Sequence, residues 1–344
     1  MKMNRSKRVW TQAWRKACTA GLIVTAWVFL LQANLVGQTE LPLQTPLQQI
    51  RMSLLVTDRS NRSAENVRQE NIRVTEDGQP LTVSYFGKDE RPLRCVVAID
   101  ASQSFQSLLR AGTDVTRALI ENKRPDDEMM IVRFISSDKI EVLQDFTKDG
   151  SVLLDSVKSI SPDGGQSAVI DAVYLAVKAA AARQANNPGV RAVVVLITDG
   201  EDRASYYSSN QLVKLLRATD VQIFTIGVTV RLDNESGLIR LSAREKAEKL
   251  LRNLAAESGA KVFFPSNDVE LTEATKWLIQ DLSSQYLIGF DRQPKSGEKG
   301  LRKVKVSIVN DPQAEKLIAI TRPGYVVGPR EPIKEEARPD RKPE

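Results

Sequence analysis

Hydrophobic positions change their spacing several times along the chain. Residues 21–31 (GLIVTAWVFLL) form one apolar run of 11. Between residues 50 and 86 the apolar positions alternate with polar ones, the period of strands buried on one face. Segments 52–57, 71–75 and 81–86 are strand-like. The turn-forming residues Asp58-Arg-Ser-Asn61 follow the first, and Glu76-Asp77-Gly78-Gln79 separates the other two. An Asp-Gly pair between alternating strands predicts a tight hairpin. An antiparallel unit of this size buries little by itself.

From residue 93 to about 283 the pattern is different. Apolar, β-rich runs at 95–99, 129–134, 192–197, 221–226 and 261–264 alternate with helical stretches near 105–122, 151–159, 169–184, 209–218, 243–258 and 269–283. Strands that are apolar at every position are those covered on both faces by helices. The alternation therefore predicts an α/β fold with a doubly wound, mostly parallel sheet. Segment 140–143 reads as an antiparallel edge hairpin. Strand-like segments return at 286–290, 303–309 and 317–321, so the α/β domain is expected to be flanked by a small antiparallel β unit formed by the N- and C-terminal segments. The expected organisation is a leader at 1–37, a spacer at 38–49, an N-terminal β segment at 50–91, the α/β domain at 92–283, a C-terminal β segment at 284–327 and a charged, Pro-rich, disordered tail at 328–344.

Composition narrows the chemistry. The 344 residues contain no histidine, which excludes Ser-His-Asp and Cys-His machinery and any His-ligated metal. The two cysteines, Cys18 and Cys95, are too few for a thiolate metal site or a disulfide framework. A metal centre must then be built from oxygens. Of the 49 basic residues, six fall within the first 16 positions, which hold no acid, and the rest balance the 43 acidic residues. The net charge of +6 thus belongs to the leader, and nucleic-acid binding is not expected. A basic stretch, a short apolar run and small residues after it describe an export signal. The expected location is periplasmic or extracellular, with an uncleaved inner-membrane anchor over 17–37 as the alternative. Any membrane contact is expected through that segment alone.

The informative positions follow predicted strands. The first apolar strand of the α/β region ends in Asp100-Ala-Ser102-Gln-Ser104, a later one in Thr198-Asp199-Gly200-Glu201-Asp202, and between them lies Gly164-Gly165-Gln-Ser167 opening a helix. Carboxyl ends of strands are the ligand-binding side of open α/β sheets. Asp100 and Asp199 balance a divalent charge, while Ser102, Ser104 and Ser167 are neutral oxygen donors. Together they suit a hard cation such as Mg²⁺. Asp171, Glu201 and Asp202 are expected to be loop acids, helix caps or partners behind the ligands. Arg203 is expected at the surface, Cys95 in the core, and Trp277 and Tyr286 as core anchors.

This set resembles the metal-ion-dependent adhesion site of von Willebrand factor type A domains, over roughly residues 92–283. The flanks, Val56-Thr-Asp58 with Val74-Thr-Glu-Asp77-Gly78 before and Gln285-Tyr286-Leu-Ile-Gly-Phe290 with Arg322-Pro-Gly-Tyr325 after, resemble a bacterial subgroup of secreted proteins with such domains, of acidobacterial type. The resemblance implies metal ligation by Asp100, Ser102, Ser104, Ser167 and Asp199, with Mg²⁺ or Mn²⁺ bridging to an Asp or Glu of a protein partner, and no catalytic residue. The family usually has threonine where this chain has Ser167; serine keeps the hydroxyl and loses the methyl that holds its rotamer. Two other functions compete. One is a metal-independent structural or assembly protein of the cell envelope. The other is a metal-assisted hydrolase, disfavoured because Ser102 stands where a second Asp would serve as general acid and because no histidine is present.

Overall fold

The computed structural model describes residues 47–64, 66–187, 189–235, 241–294, 297–309 and 316–328. The leader expected at 1–37, the spacer up to residue 46 and the tail beyond 328 lie outside the described residues. Four strands come first: β1 (Gln48–Asp58), β2 (Ile72–Glu76), β3 (Gln79–Leu81) and β4 (Val83–Lys88). The Asp-Gly hairpin joins β2 to β3, with Asp77 at φ 47° and Gly78 at φ 86°. Both signs are those of the type I′ turn that matches strand twist. The segment expected as one strand at 81–86 is divided at Thr82, and its two parts enter different sheets.

The α/β region follows, with β5 (Leu93–Asp100), α1 (Leu109–Glu121), β6 (Glu128–Ser136), β7 (Lys139–Thr147), α2 (Gly150–Lys158), α3 (Val169–Ala185), β8 (Arg191–Thr198), α4 (Ser209–Ala218), β9 (Gln222–Gly227), α5 (Ala243–Ser258), β10 (Val262–Phe263) and α6 (Asp268–Ser283). The sheet order is β10-β9-β8-β5-β6-β7, with β7 alone antiparallel. Side-chain parity explains why β5 and β8 are apolar throughout. Cys95, Val97 and Ile99, with Val193, Val195 and Ile197, pack under α1, α2 and α6. Val96 and Ala98, with Ala192, Val194 and Leu196, pack under α3, α4 and α5. Burial pushes the Cys95 thiol up to about 12, which makes it an inert core group. Because β6 lies on one side of β5 and β8 on the other, the winding reverses between β5 and β8. A crevice opens at their carboxyl ends.

The chain closes with β11 (Tyr286–Arg292), β12 (Gly300–Ile308), β13 (Leu317–Ile320) and β14 (Gly324–Val327). The flanking segments do pair with each other, forming two four-stranded sheets, β13-β1-β11-β4 and β14-β12-β2-β3. Met52, Leu54, Val74, Ile288, Phe290, Val304 and Tyr325 fill the core the two sheets share. Leu55 lies on the other face of β1 and belongs to the core beneath α6. Tyr286 is buried, stacks on Phe86 at 5.0 Å and donates to the Ala64 carbonyl at 2.9 Å. Trp277 packs at the edge of the α/β core. Because β4 and β11 are hydrogen-bonded neighbours, the whole α/β layer is an insertion between two adjacent strands. Among the described residues, no helix is long and apolar enough to cross a membrane.

A buried ion pair fixes the seam. Lys261 Nζ lies 2.7 Å from Asp281 Oδ2, with both side chains nearly inaccessible, and Lys261 also donates to the Asn61 carbonyl at 3.3 Å. Removing one partner leaves a buried charge unpaired. Asp281→Ala is therefore expected to lower the unfolding free energy by about 3–5 kcal/mol in urea denaturation, and the double change Lys261→Met with Asp281→Leu by much less.

Candidate metal centre

Three loops meet at the crevice. The first leaves β5 at Asp100, and its backbone is held to the sheet where the Ala101 N–H donates to the Phe134 carbonyl at 2.8 Å. The second, ending at Ser167, is tied to the first by the Gln103 N–H donating to Gly165 O at 3.3 Å. Gly165 permits that approach, since a Cβ there would stand 2.6 Å from Ile135 Cγ2. The third leaves β8 at Thr198. Its Arg203 and Ala204 N–H groups donate to Ser167 O at 2.8 and 3.1 Å, which seats the second loop on the third.

The side chains form one network. Ser167 Oγ donates to Asp100 Oδ2 at 3.2 Å, and the Ser102 N–H donates to Asp100 Oδ1 at 3.0 Å. Ser102 Oγ and Ser104 Oγ share a hydrogen bond of 3.2 Å, and the Ser104 side chain faces Asp199 and favours its charged form. Asp199 Oδ1 also accepts the Glu201 N–H at 2.9 Å. All five residues expected from the sequence are thus brought together. Asp100, Ser102, Ser167 and Asp199 are buried, and Ser104 is exposed.

Burial sets the electrostatics. It pushes the Asp100 carboxyl up to about 6, with the facing Asp199 charge adding to the rise and bonds from Ser102 and Thr198 opposing it. Asp199 is raised chiefly by burial, and the Glu201 charge adds to this. Two carboxylates held close without a cation repel one another, and a divalent ion between them would relieve that repulsion. Two carboxylates and three hydroxyls fit a hard cation that keeps part of its water. Among the described residues no group of three or more Asp, Glu, Cys or His side chains is disposed to hold a metal, so hydroxyl donors are indispensable to a centre here.

Thr198 is the residue that pattern reading passes over. It is fully buried and donates to Asp100 Oδ2 at 2.6 Å, while its oxygen accepts the Gly200 N–H at 3.0 Å. A threonine closing an apolar strand is an ordinary β-former, so nothing in the local sequence marks this role. Asp171 is no solvated loop acid: it is completely buried and accepts the N–H groups of Tyr206 and Tyr207 at 2.9 and 2.8 Å. Asp202 caps α3, accepting the Ile170 N–H at 3.1 Å. Arg203 is at the surface, paired with Glu201 at 2.5 Å. The acids after Asp199 have partners within the chain, Glu201 in Arg203 and Asp202 in the first turn of α3.

The geometry makes a pH prediction for the metal-free protein. A carboxyl raised in the folded state binds its proton more tightly there than in the unfolded chain, so its contribution to stability falls as pH rises. In EDTA-treated protein, the stability of wild type relative to Asp100→Asn is expected to drop between about pH 4 and pH 6 and to level off above. Urea denaturation across that range reads the difference, and a constant offset would contradict this electrostatic account.

The model of the von Willebrand factor type A domain matches residues 95–277. Among solved structures, the conserved hypothetical protein BatB from Bacteroides thetaiotaomicron is similar at 19% identity, over 56% of this chain and 97% of that one, with a TM-score of 0.43. A von Willebrand factor type A protein from Catenulispora acidiphila is similar at 12% identity, over 82% and 76%, with a TM-score of 0.45. Proximal thread matrix protein 1 from the mussel byssus, in a form with a zinc-occupied MIDAS motif, is similar at 18% identity, over 61% and 49%, with a TM-score of 0.42. No curated protein matches the chain.

Proposed function

The chain belongs to the von Willebrand factor type A domain family, whose members are protein-interaction modules, and from that premise we propose an exported, non-enzymatic module that grips an acidic residue of a protein partner through a divalent cation. The observation that carries this reading is the convergence of Asp100, Ser102, Ser104, Ser167 and Asp199 from three loops, four of them joined by hydrogen bonds and Asp199 facing Asp100 and Ser104. Export rests on the basic and then apolar leader.

In this reading Ser102, Ser104 and Ser167 offer neutral oxygens, and Asp100 and Asp199 bring the balancing charge, directly or through water. Mg²⁺ or Mn²⁺ held there would supply a Lewis-acidic centre able to take a carboxylate oxygen from a partner's Asp or Glu. Thr198 fixes the Asp100 carboxylate from beneath. Ser104, the exposed member, marks the side from which a partner approaches. One observation favours the alternative of a metal-independent assembly surface: both oxygens of Asp100 already accept hydrogen bonds from within the chain.

Calorimetry and thermal unfolding with Mg²⁺ or Mn²⁺ separate the two. A cation at 100 times its Kd is expected to add about 2.7 kcal/mol to wild type and nothing to Asp100→Ala. Thr198→Val is expected to keep the site and weaken it by about 10–100-fold, as loss of a residue that orients a ligand does. Equal silence from wild type and Asp100→Ala would leave the assembly reading.

A further inference from the structure

The opposite edge of the parallel sheet holds a second polar cluster, where segments from the β-sandwich meet the starts of β8 and β9. Arg51, Arg91, Arg191, Arg322 and Asp220 line a cavity of about 30 Å³ together with Gln222. Two of the four arginines are neutralised. Arg91 is bidentate on Asp89 at 2.8 and 2.7 Å, and Arg322 pairs with Asp220. Arg51, at the exposed rim, donates to the Gln49 side chain at 2.8 Å and lies over the Tyr85 ring.

Arg191 is different. It is only 2% exposed, yet among the described residues it donates to one acceptor, the Leu282 carbonyl, through one nitrogen. Its Nε and Nη1 are buried and have no hydrogen-bond partner among the described residues. The same seam holds other unsatisfied polar atoms: Gln222 Oε1 in the lining, and both amide atoms of Gln285, whose backbone carbonyl accepts the Asp89 N–H at 2.8 Å. Asp89 lies near enough for its charge to favour the Arg191 guanidinium, yet its oxygens are held by Arg91 and Ser53 and accept no hydrogen bond from Arg191. Burial lowers the Arg191 guanidinium to about 10, which still leaves it charged at neutral pH. Asp89 and Asp127 bring negative charge near Arg191, but its two buried donors still lack an acceptor, and such unmet donors are costly.

We propose that this cavity is an anion site in which Arg191, with Arg322 and Arg51 beside it, holds one small oxyanion of the phosphate, sulfate or carboxylate class. A guanidinium with two free N–H directions suits such an anion by bidentate hydrogen bonding. A water needs about 10–15 Å³ of such space, so the cavity admits an ion of a few atoms and excludes a nucleotide. Its lining comes from β1, the β4–β5 link, β8, β9 and the link from β13 to β14, so the bound ion joins the sandwich to the α/β layer. Arg191 and Asp199 lie at opposite ends of one strand, about 26 Å apart at the usual rise, so the site is separate from the candidate metal centre.

The test uses the full chain, treated with EDTA, in calorimetry and thermal unfolding with sodium phosphate, sulfate or acetate against chloride at fixed ionic strength. At least one of the three oxyanions is expected to bind saturably, one per chain, and to raise the Tm where chloride does not; which one succeeds distinguishes a tetrahedral anion from a carboxylate. Arg191→Met is expected to abolish that binding, and Arg322→Gln to weaken it about tenfold. Absence of saturable binding by wild type overturns the proposal, as does unchanged affinity in Arg191→Met. Should Arg191→Met fail to fold, unchanged affinity in Arg322→Gln overturns it instead.

Discussion

The carboxylate of Asp100 is the point to which all three loops of the crevice are referred. It receives a backbone N–H from its own loop, a hydroxyl from Ser167 on the second and a hydroxyl from Thr198 at the root of the third. A buried charge tolerates such a position only while its oxygens are satisfied, so the loops are held wherever their donors must be. The rest follows from that constraint. The seating of Ser167 on the third loop and the capping of α3 by Asp202 are the supports that keep those donors in reach.

The two edges of the parallel sheet carry opposite demands. At the carboxyl edge Asp100 and Asp199 present negative charge that burial disfavours, and at the amino edge Arg191 presents positive charge under the same penalty. The apolar strands between them permit both, because β5 and β8 are covered on each face and carry their polar residues only at their ends. The candidate centre and the arginine seam are thus products of one architectural choice: strands too well buried to hold a charge anywhere else.

Local pattern sufficed where the determinant is local. The uniform apolarity of 95–99 and 192–197 implied a doubly covered sheet, and Asp77-Gly78 implied a hairpin, because parity and φ preference act within a few residues. Partnership across the chain was harder to see. Residues 81–86 alternate well enough for one strand, and only long-range pairing divides them between β2 and β11. The five donors were legible because their types and spacing are unusual after strands. Thr198 was not, since it resembles any strand residue until burial is known, and for Asp171 the pattern left a loop acid, a helix cap and a supporting partner equally open. Arg191 was equally silent, for an arginine at the head of an apolar strand ordinarily faces water.

The insertion of the α/β layer between β4 and β11 has a mechanical consequence. Tension applied between the chain entering β1 and the chain leaving β14 would be carried by the interstrand bonds of the sandwich, where β1 grips β11 and β12 joins β2 to β14. The looped-out layer hangs from two bonded neighbours and lies off that line of force. A pull along the polypeptide would therefore reach the crevice loops only after those strands had parted.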